Sequence, residues 1–349
     1  MDEKSGKNMP AGAPPNVHLW SRDGFLGANA VALRPGYTPT YRSVAGLHAP
    51  QRFNLLEVAA EDHGNPDALP TAVMTARNGV KLSVSRRTAA TPFTVRNAEA
   101  DELHFIQSGR CRFHTDFGSL EAGPLDFVCL PRSVSYRLEP LSADLAALIV
   151  ECPEPLQFDT PAPFGMINFG KSVRRCAITP DATATPGPHT LLIKYEDGIT
   201  QFEMEADPIA ALAQVGGAAP VWALNLADVV PIAYGQSGGP PAQFLSTAST
   251  GMMFYTLSAR PGSRPPIHHN ADYDEIVLYA AGPGVWGKVS DPGTVTWVPK
   301  GVTHQGPVEN VTEGYLAWLL ETRSTMRLTP AALKHAALME TRDYGFQTP

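Results

Sequence analysis

Three histidines and a glutamate stand close together in the C-terminal half of the chain, at spacings that suit a metal ion. The segment 268–275 reads HHNADYDE and the segment 293–304 reads GTVTWVPKGVTH. The first sets His268, Asn270 and Glu275 in the pattern H-x-N-x4-E. The second sets Gly293, Pro299, Gly301 and His304 in G-x5-P-x-G-x2-H. Residues two apart on a strand share a face, so His268 and Asn270 point the same way. Glu275 opens the apolar run EIVLY and can point to the same interior. Pro299 and Gly301 make a turn that presents His304 from a returning strand. Two imidazoles and one carboxylate then meet on one ion and leave its far side open, the usual home of non-haem Fe(II) in oxygen chemistry. His269 lies six residues before Glu275 and His268 seven, and either spacing can deliver the ligand. The longer pattern, completed by Asn270, favours His268. His269 and Tyr273, which flank the ligands, are then candidates for catalytic proton transfer.

A lone strand histidine is more often a satisfied structural residue than a ligand. The weight here comes from both motifs together, with all three donors in place. They are the two halves of the cupin signature, in the right order and about twenty residues apart, as a strand, a turn and a returning strand require. The elements around them fit. Short apolar runs such as GMMFYTLSARP, EIVLYAAG, GVWGKV, GTVTWVP and GYLAWLLE alternate with turn signals. Tyr255 or Phe254 should face the pocket from the first of these runs. Trp286, Trp297 and Trp318 read as core. Arg260 and Arg264 precede the iron motif, and Arg264 is a candidate to grip a substrate carboxylate.

An earlier region repeats the cadence: FNLLEVAA, GVKLSVSRR, ELHFIQSGRCRFHTDFGSLEAG, DFVCLP and SYRLEP. Laid on the same template, it puts Val95 in the first histidine position and Tyr136 in the last, with Asn97 and Glu102 retained. Both imidazoles are gone, so this copy should not bind iron. The expected architecture is all-β: a bicupin of two tandem jelly-roll barrels with a short C-terminal helix. The expected units are a flexible tail 1–16, a degenerate cupin 17–155, a Pro-rich connector 156–189 and a metal-binding cupin 190–349. The terminal segment TPAALKHAALMETR reads as one helix, with Thr329 as N-cap and Pro330 at the first position. A further short helix is read in DPIAALAQVGG.

Composition agrees with this. The 349 residues are 43% hydrophobic, enough for a sizeable core, and 33 prolines and 30 glycines suit turns between short strands better than helices. Charged residues are 17%, the net charge is −7, and no Lys/Arg cluster offers a nucleic-acid surface. The four cysteines have no C-x-x-C spacing and read as reduced thiols. With no signal-type apolar run at the N-terminus and no membrane-length stretch, a cytoplasmic protein is expected.

The chain resembles the homogentisate 1,2-dioxygenase family. RNAEADELHFIQSGRCRFHTDFG is similar to that family's inactive module, IKYEDGITQFEMEADPIAALAQVGG to the lead into its second module, and RPPIHHNADYDEIVLY and GVTHQGP to its iron-binding segments. Similarity runs from about 90 to 330. The resemblance implies iron ligands at His268, Glu275 and His304. It also implies a reaction in which Fe(II) and O2 open a hydroquinone-type ring beside the carbon bearing the side chain, and assembly as a trimer or larger homo-oligomer. Two departures stand out. The family's upstream active-site histidine has no counterpart in GGPPAQFLSTASTGMMF, where Gln243 lies nearest that position, and its FDVVxW element is altered to IAALAQ. Iron chemistry is therefore better supported than homogentisate itself, and substrate contacts are expected from Gln243, Tyr255, Asn270 and Arg264. The competing readings are a cupin isomerase or lyase using another divalent metal, and a non-catalytic binding protein for small molecules.

Overall fold

The computed structural model describes residues 16–22, 28–34, 40–159, 165–178, 186–195, 198–231, 241–258, 267–282, 291–304 and 315–339. The tail 1–15, Arg260, Arg264 and Trp286 lie outside them. Among the described residues there are 27 strand segments, two one-turn α-helices and two 3-10 turns. The fold is all-β, as the sequence suggests.

Two eight-stranded sheets form the body. The first runs Val173–Arg175, Trp222–Asn225, Asp126–Leu130, Asp101–Ser108, Ala146–Cys152, Lys81–Ser85, Thr71–Thr75, Arg327–Leu328. The second runs Ala337–Leu338, Gln51–Asn54, Thr294–Val298, Asp274–Ala281, Leu316–Thr322, Met252–Ser258, Ala242–Thr247, Leu156–Phe158. Taken in these orders the sheets correspond strand for strand, as two tandem barrels from a duplicated sequence would.

The two barrels exchange strands. Gln51–Asn54 precedes the first barrel in sequence but pairs with Thr294–Val298 of the second. Trp222–Asn225 does the reverse, pairing with Asp126–Leu130. Leading hairpins are traded as well. Asn16–Ser21, paired with Asn29–Arg34, lies parallel to Ile267–Asn270. Pro186–Tyr195, paired with Gly198–Ala206, lies parallel to Thr94–Asn97. Strands thus cross the boundaries expected at 155 and 189.

Central strands are covered on both faces, so they read as near-continuous apolar runs rather than alternating ones. In Asp274–Ala281, for example, Ile276 and Leu278 point into the core shared by the two sheets, while Val277 and Tyr279 belong to the second barrel's interior. The shared core centres on Phe105, Phe127, Phe244, Phe254 and Trp318, all fully buried. Phe127 stands 5.4 Å from Trp318 and 5.5 Å from Phe244, ring centre to ring centre. Each such side chain contributes about 1.5–3 kcal/mol by burial, which welds the modules into one body. Trp297 is also core, and all four cysteines are free thiols.

Two helix expectations need correction. DPIAALAQVGG is not helical: Asp207 caps a turn by accepting from Ile209 N–H and Arg137, and Ala211 adopts φ +59°. None of its residues is buried, and a short helix without a packed face does not sustain itself. The C-terminal helix has the expected cap and proline but is one turn, Pro330–Leu333. Ala337 and Leu338 instead pair with Arg52 and Gln51, and Met339 is fully buried. Sheet pairing and burial outweigh helix propensity there.

Candidate metal centre

His268, Glu275 and His304 converge. Their ligand atoms lie within 4.8 Å of one another, and all three residues are buried. His304 Nε2 is 2.9 Å from Glu275 Oε2, His268 Nε2 is 3.5 Å from Oε1, and the two imidazole centres are 4.2 Å apart.

The backbone explains the convergence. His268 and His304 exchange both main-chain hydrogen bonds, each 2.8 Å, which sets the rings side by side. Gly301, at φ +81°, allows the turn between Pro299 and His304 and donates its N–H to the Asn270 carbonyl. Fully buried Asp274 pins the same turn: it accepts from Lys300 N–H, Met326 N–H and the Trp297 indole. Glu275, next in the strand, is thereby aimed inward.

Neighbouring groups hold the donors in place. His304 Nδ1 bonds the Val302 carbonyl at 3.0 Å. That contact turns Nε2 toward Glu275, the arrangement by which imidazole ligands are generally oriented. Asn270 donates to Glu275 Oε1 and accepts from the Ser21 hydroxyl at 3.0 Å, so the exchanged hairpin backs the site.

Burial would push the Glu275 carboxyl upward, but the His304 and His268 rings hold it well below the usual carboxylate range. Burial would lower His304, yet the Glu275 carboxylate and the Val302 carbonyl raise it. A buried carboxylate facing two imidazoles draws positive charge to this point. Two nitrogens and an oxygen suit a borderline divalent ion such as Fe(II), and Mn, Zn and Ni fall within the same donor range.

The other expected residues are placed as follows. His269 is half-buried, on the opposite strand face from His268 and Asn270; its Nδ1 meets His18 Nε2 at 3.0 Å. Tyr273 is fully buried, donates its hydroxyl to the Thr250 carbonyl at 2.9 Å and lies under the Arg323 guanidinium. Gln243 donates to Asp159 at 2.9 Å. Tyr255 belongs to the second barrel's apolar cluster and donates to Glu321 Oε2 at 3.1 Å.

Glu321 escaped the sequence reading. It is 2% exposed and pairs directly across the ladder from Glu275, on the same face. The signal was available: a single acid closing the apolar run LAWLLE, repeated as Glu151 in LAALIVEC. His18 and Ser21 were also missed, since nothing in NVHLWS points to a partner some 250 residues away.

In the first barrel Asn97 donates to Glu102 Oε1 at 2.9 Å, as Asn270 does to Glu275. Tyr136 takes the place of His304, donating its hydroxyl to Glu102 Oε2 at 2.7 Å.

No protein-family model matches the chain. A Saccharolobus solfataricus protein provisionally named a dioxygenase is 26% identical over 238 residues, covering 63% of this chain and 59% of that one. Homogentisate 1,2-dioxygenases of Pseudomonas entomophila and Pseudomonas putida are 28% and 27% identical over 145 residues, or 41% of this chain and 33% of each of theirs. The matches thus span less than two thirds of these relatives. Bacillus subtilis oxalate decarboxylase superposes with a TM-score of 0.42 at 13% identity, over 84% of this chain and 81% of its own. The sequence relatives support the resemblance to homogentisate 1,2-dioxygenases, with this chain a divergent relative.

Proposed function

We propose that the protein is an Fe(II)-dependent dioxygenase that opens the ring of a hydroquinone-like or other hydroxylated aromatic compound with O2. The observation that carries the proposal is the His268–Glu275–His304 cluster, in a barrel whose interior is apolar and rich in tyrosine. Bound there, Fe(II) supplies Lewis acidity toward a phenol oxygen and electrons for dioxygen.

The chain's own residues do the remaining work. Asn270 and the Val302 carbonyl fix the directions of Glu275 and His304, so the donors need no rearrangement during reaction. Tyr255, Tyr279, Tyr315, Val277 and Leu319 make one packed apolar cluster, and Tyr279 stacks on Tyr315 at 5.6 Å. Such a wall favours an aromatic ring and excludes bulk water. Glu321, across from Glu275, is the carboxylate placed to hold a proton released from a substrate phenol. Tyr255 orients it and stays a neutral donor, because burial and the Glu321 charge raise its hydroxyl well above the ordinary tyrosine range.

His269 and Tyr273 remain candidates for proton transfer; Glu321 joins them because it stands on the barrel face of Glu275, a face that His269 does not share. The missing upstream histidine argues for a phenol other than homogentisate. The proposal includes a cytoplasmic homo-oligomer, a trimer or larger, with neither nucleic-acid nor membrane partners. No described helix is long and apolar enough to cross a membrane.

Anaerobic reconstitution with Fe(II), followed by an oxygen-electrode screen of hydroquinones, catechols and gentisate-like acids, tests the reading. Stoichiometric O2 uptake with a new product absorption band is expected. Turnover without O2 would indicate an isomerase or lyase, and tight substrate binding without turnover a binding protein.

A further inference from the structure

In the first barrel a lysine stands where the second gathers metal ligands. Lys194 Nζ lies 2.6 Å from Glu102 Oε1 and 2.8 Å from Glu151 Oε1. Glu102 and Glu151 face each other across the ladder as Glu275 and Glu321 do. Asn97 bridges the two carboxylates, donating to Glu102 at 2.9 Å and to Glu151 at 3.0 Å. Tyr136 donates to Glu102 Oε2, which also meets His104 Nε2 at 3.0 Å. Asn97, Glu102, His104, Tyr136 and Glu151 are each at most 6% exposed, and His104 Nδ1 is buried inside the barrel without a hydrogen-bond partner.

Lys194 arrives on the exchanged hairpin. In the parallel ladder it pairs with Asn97, the register at which Ser21 pairs with Asn270 in the other barrel. The same position therefore carries a short serine beside the three-ligand cluster and a long lysine beside the degenerate one. The serine stops at Asn270, whereas the lysine reaches past its asparagine to both carboxylates. A cavity of about 210 Å³ opens beside Glu102, Tyr136, Glu151 and Lys194, large enough to admit an ion and water.

The geometry points to a second cation site in the first barrel, whose resident cation is the Lys194 ammonium. Tethered to the chain, it closes a cradle of Glu102, Glu151, Asn97 and Tyr136 against free metal. Shortening the lysine opens that cradle to a hard divalent cation. Two buried carboxylates left without positive charge are strongly destabilising unless one takes up a proton, so the cradle favours a cation. The electrostatics agree. Burial alone would raise the Glu102 carboxyl, but the ammonium and the His104 ring hold it well down. Burial alone would lower Lys194, but the two carboxylates hold it above the ordinary lysine range. Mostly oxygen donors favour an ion such as Mn(II). This inference is independent of the reaction proposed for the second barrel.

The test is Mn(II) equilibrium dialysis of the chelator-stripped full chain. Lys194→Ser, which copies Ser21, should bind one more Mn(II) per chain than the unmutated protein, and adding Glu102→Gln should remove that increment. Equal stoichiometry in the folded Lys194→Ser protein overturns the proposal, as does an increment that survives Glu102→Gln. Thermal unfolding gives a second reading if Lys194→Ser does not fold. Lys194→Met should lower the midpoint, and Glu102→Gln added to it should restore part of the loss. A Lys194→Met midpoint equal to that of the unmutated chain, or no recovery in the double variant, would likewise refute it.

Discussion

Glu102 and Glu275 are counterparts: each accepts a hydrogen bond from the asparagine five residues before it, and each faces a second glutamate across the ladder. What differs is what approaches from the remaining sides. Glu275 meets two imidazoles, and Glu102 meets a tyrosine, a histidine two residues along its own strand and a lysine. One arrangement of carboxylate and amide thus stands beside two imidazoles in one barrel and forms an internal ion pair in the other.

The ligand assignment predicts a sharp contrast between adjacent histidines. His268→Ala and His304→Ala should abolish stoichiometric Fe(II) retention after desalting, while His269→Ala should keep it. Asn270→Ala, which frees Glu275, should weaken metal affinity by about 10–100-fold, the usual size for groups that orient ligands. Iron content by elemental analysis checks all four variants. Iron loss in His269→Ala with retention in His268→Ala would shift the ligand by one residue.

Glu321 carries a separate expectation. Glu321→Gln should retain iron and lose turnover by about 10²–10⁴-fold, the range for a removed proton acceptor. Tyr255→Phe should lose less, since its hydroxyl acts through Glu321. Steady-state O2 uptake with an active phenol distinguishes them. Equal rates in Glu321→Gln and the unmutated enzyme would return the proton-accepting role to His269 or Tyr273.

Much of this was legible in the sequence, for identifiable reasons. Pro299, Gly301, His304 and Glu275 lie within a strand–turn–strand unit, where spacing and alternation determine geometry. Tyr136 and Val95 were recognisable as replacements for the same reason. Exchanged segments were not legible: NVHLWS and QRFN carry only local preferences, and their partners are set by register and burial hundreds of residues away. Lys194 drew no notice in the sequence, since nothing in IKYEDG points to Glu102, 92 residues earlier. The terminal helix was overextended because propensity in AALKHAALM cannot reveal that Ala337–Leu338 complete a sheet edge.

Strand exchange predicts that neither half is self-sufficient. Residues 190–349 alone lack Asn16–Ser21 and Gln51–Asn54, which pair with Ile267–Asn270 and Thr294–Val298. Expressed alone, this fragment should be insoluble or unable to retain metal, and co-expression with 1–189 should recover both properties. A monomeric, metal-retaining 190–349 fragment would show that the borrowed strands are dispensable.

Metal stabilisation should depend on pH with a definite sign. In the metal-free protein Glu275 raises His304, so that pair contributes stability fully present below the unfolded histidine value of about 6.5 and lost as pH rises through the folded one. Glu275 itself is depressed, and its contribution is lost only as pH falls through its low folded value. A metal must displace the imidazole proton. The gain in Tm on adding metal should therefore be larger near pH 8 than near pH 6. An equal or reversed gain would mean that no proton leaves the cluster on binding.

The central claim is that a hydroxylated aromatic ring is opened with both atoms of O2 at the His268–Glu275–His304 centre. It is tested most directly by turnover under ¹⁸O2 with the phenol that gives the fastest O2 uptake, followed by mass spectrometry of the product. The account predicts a ring-opened product carrying two ¹⁸O atoms, formed by the unmutated enzyme and not by His304→Ala. An unlabelled product, or the same product formed without O2, would contradict it.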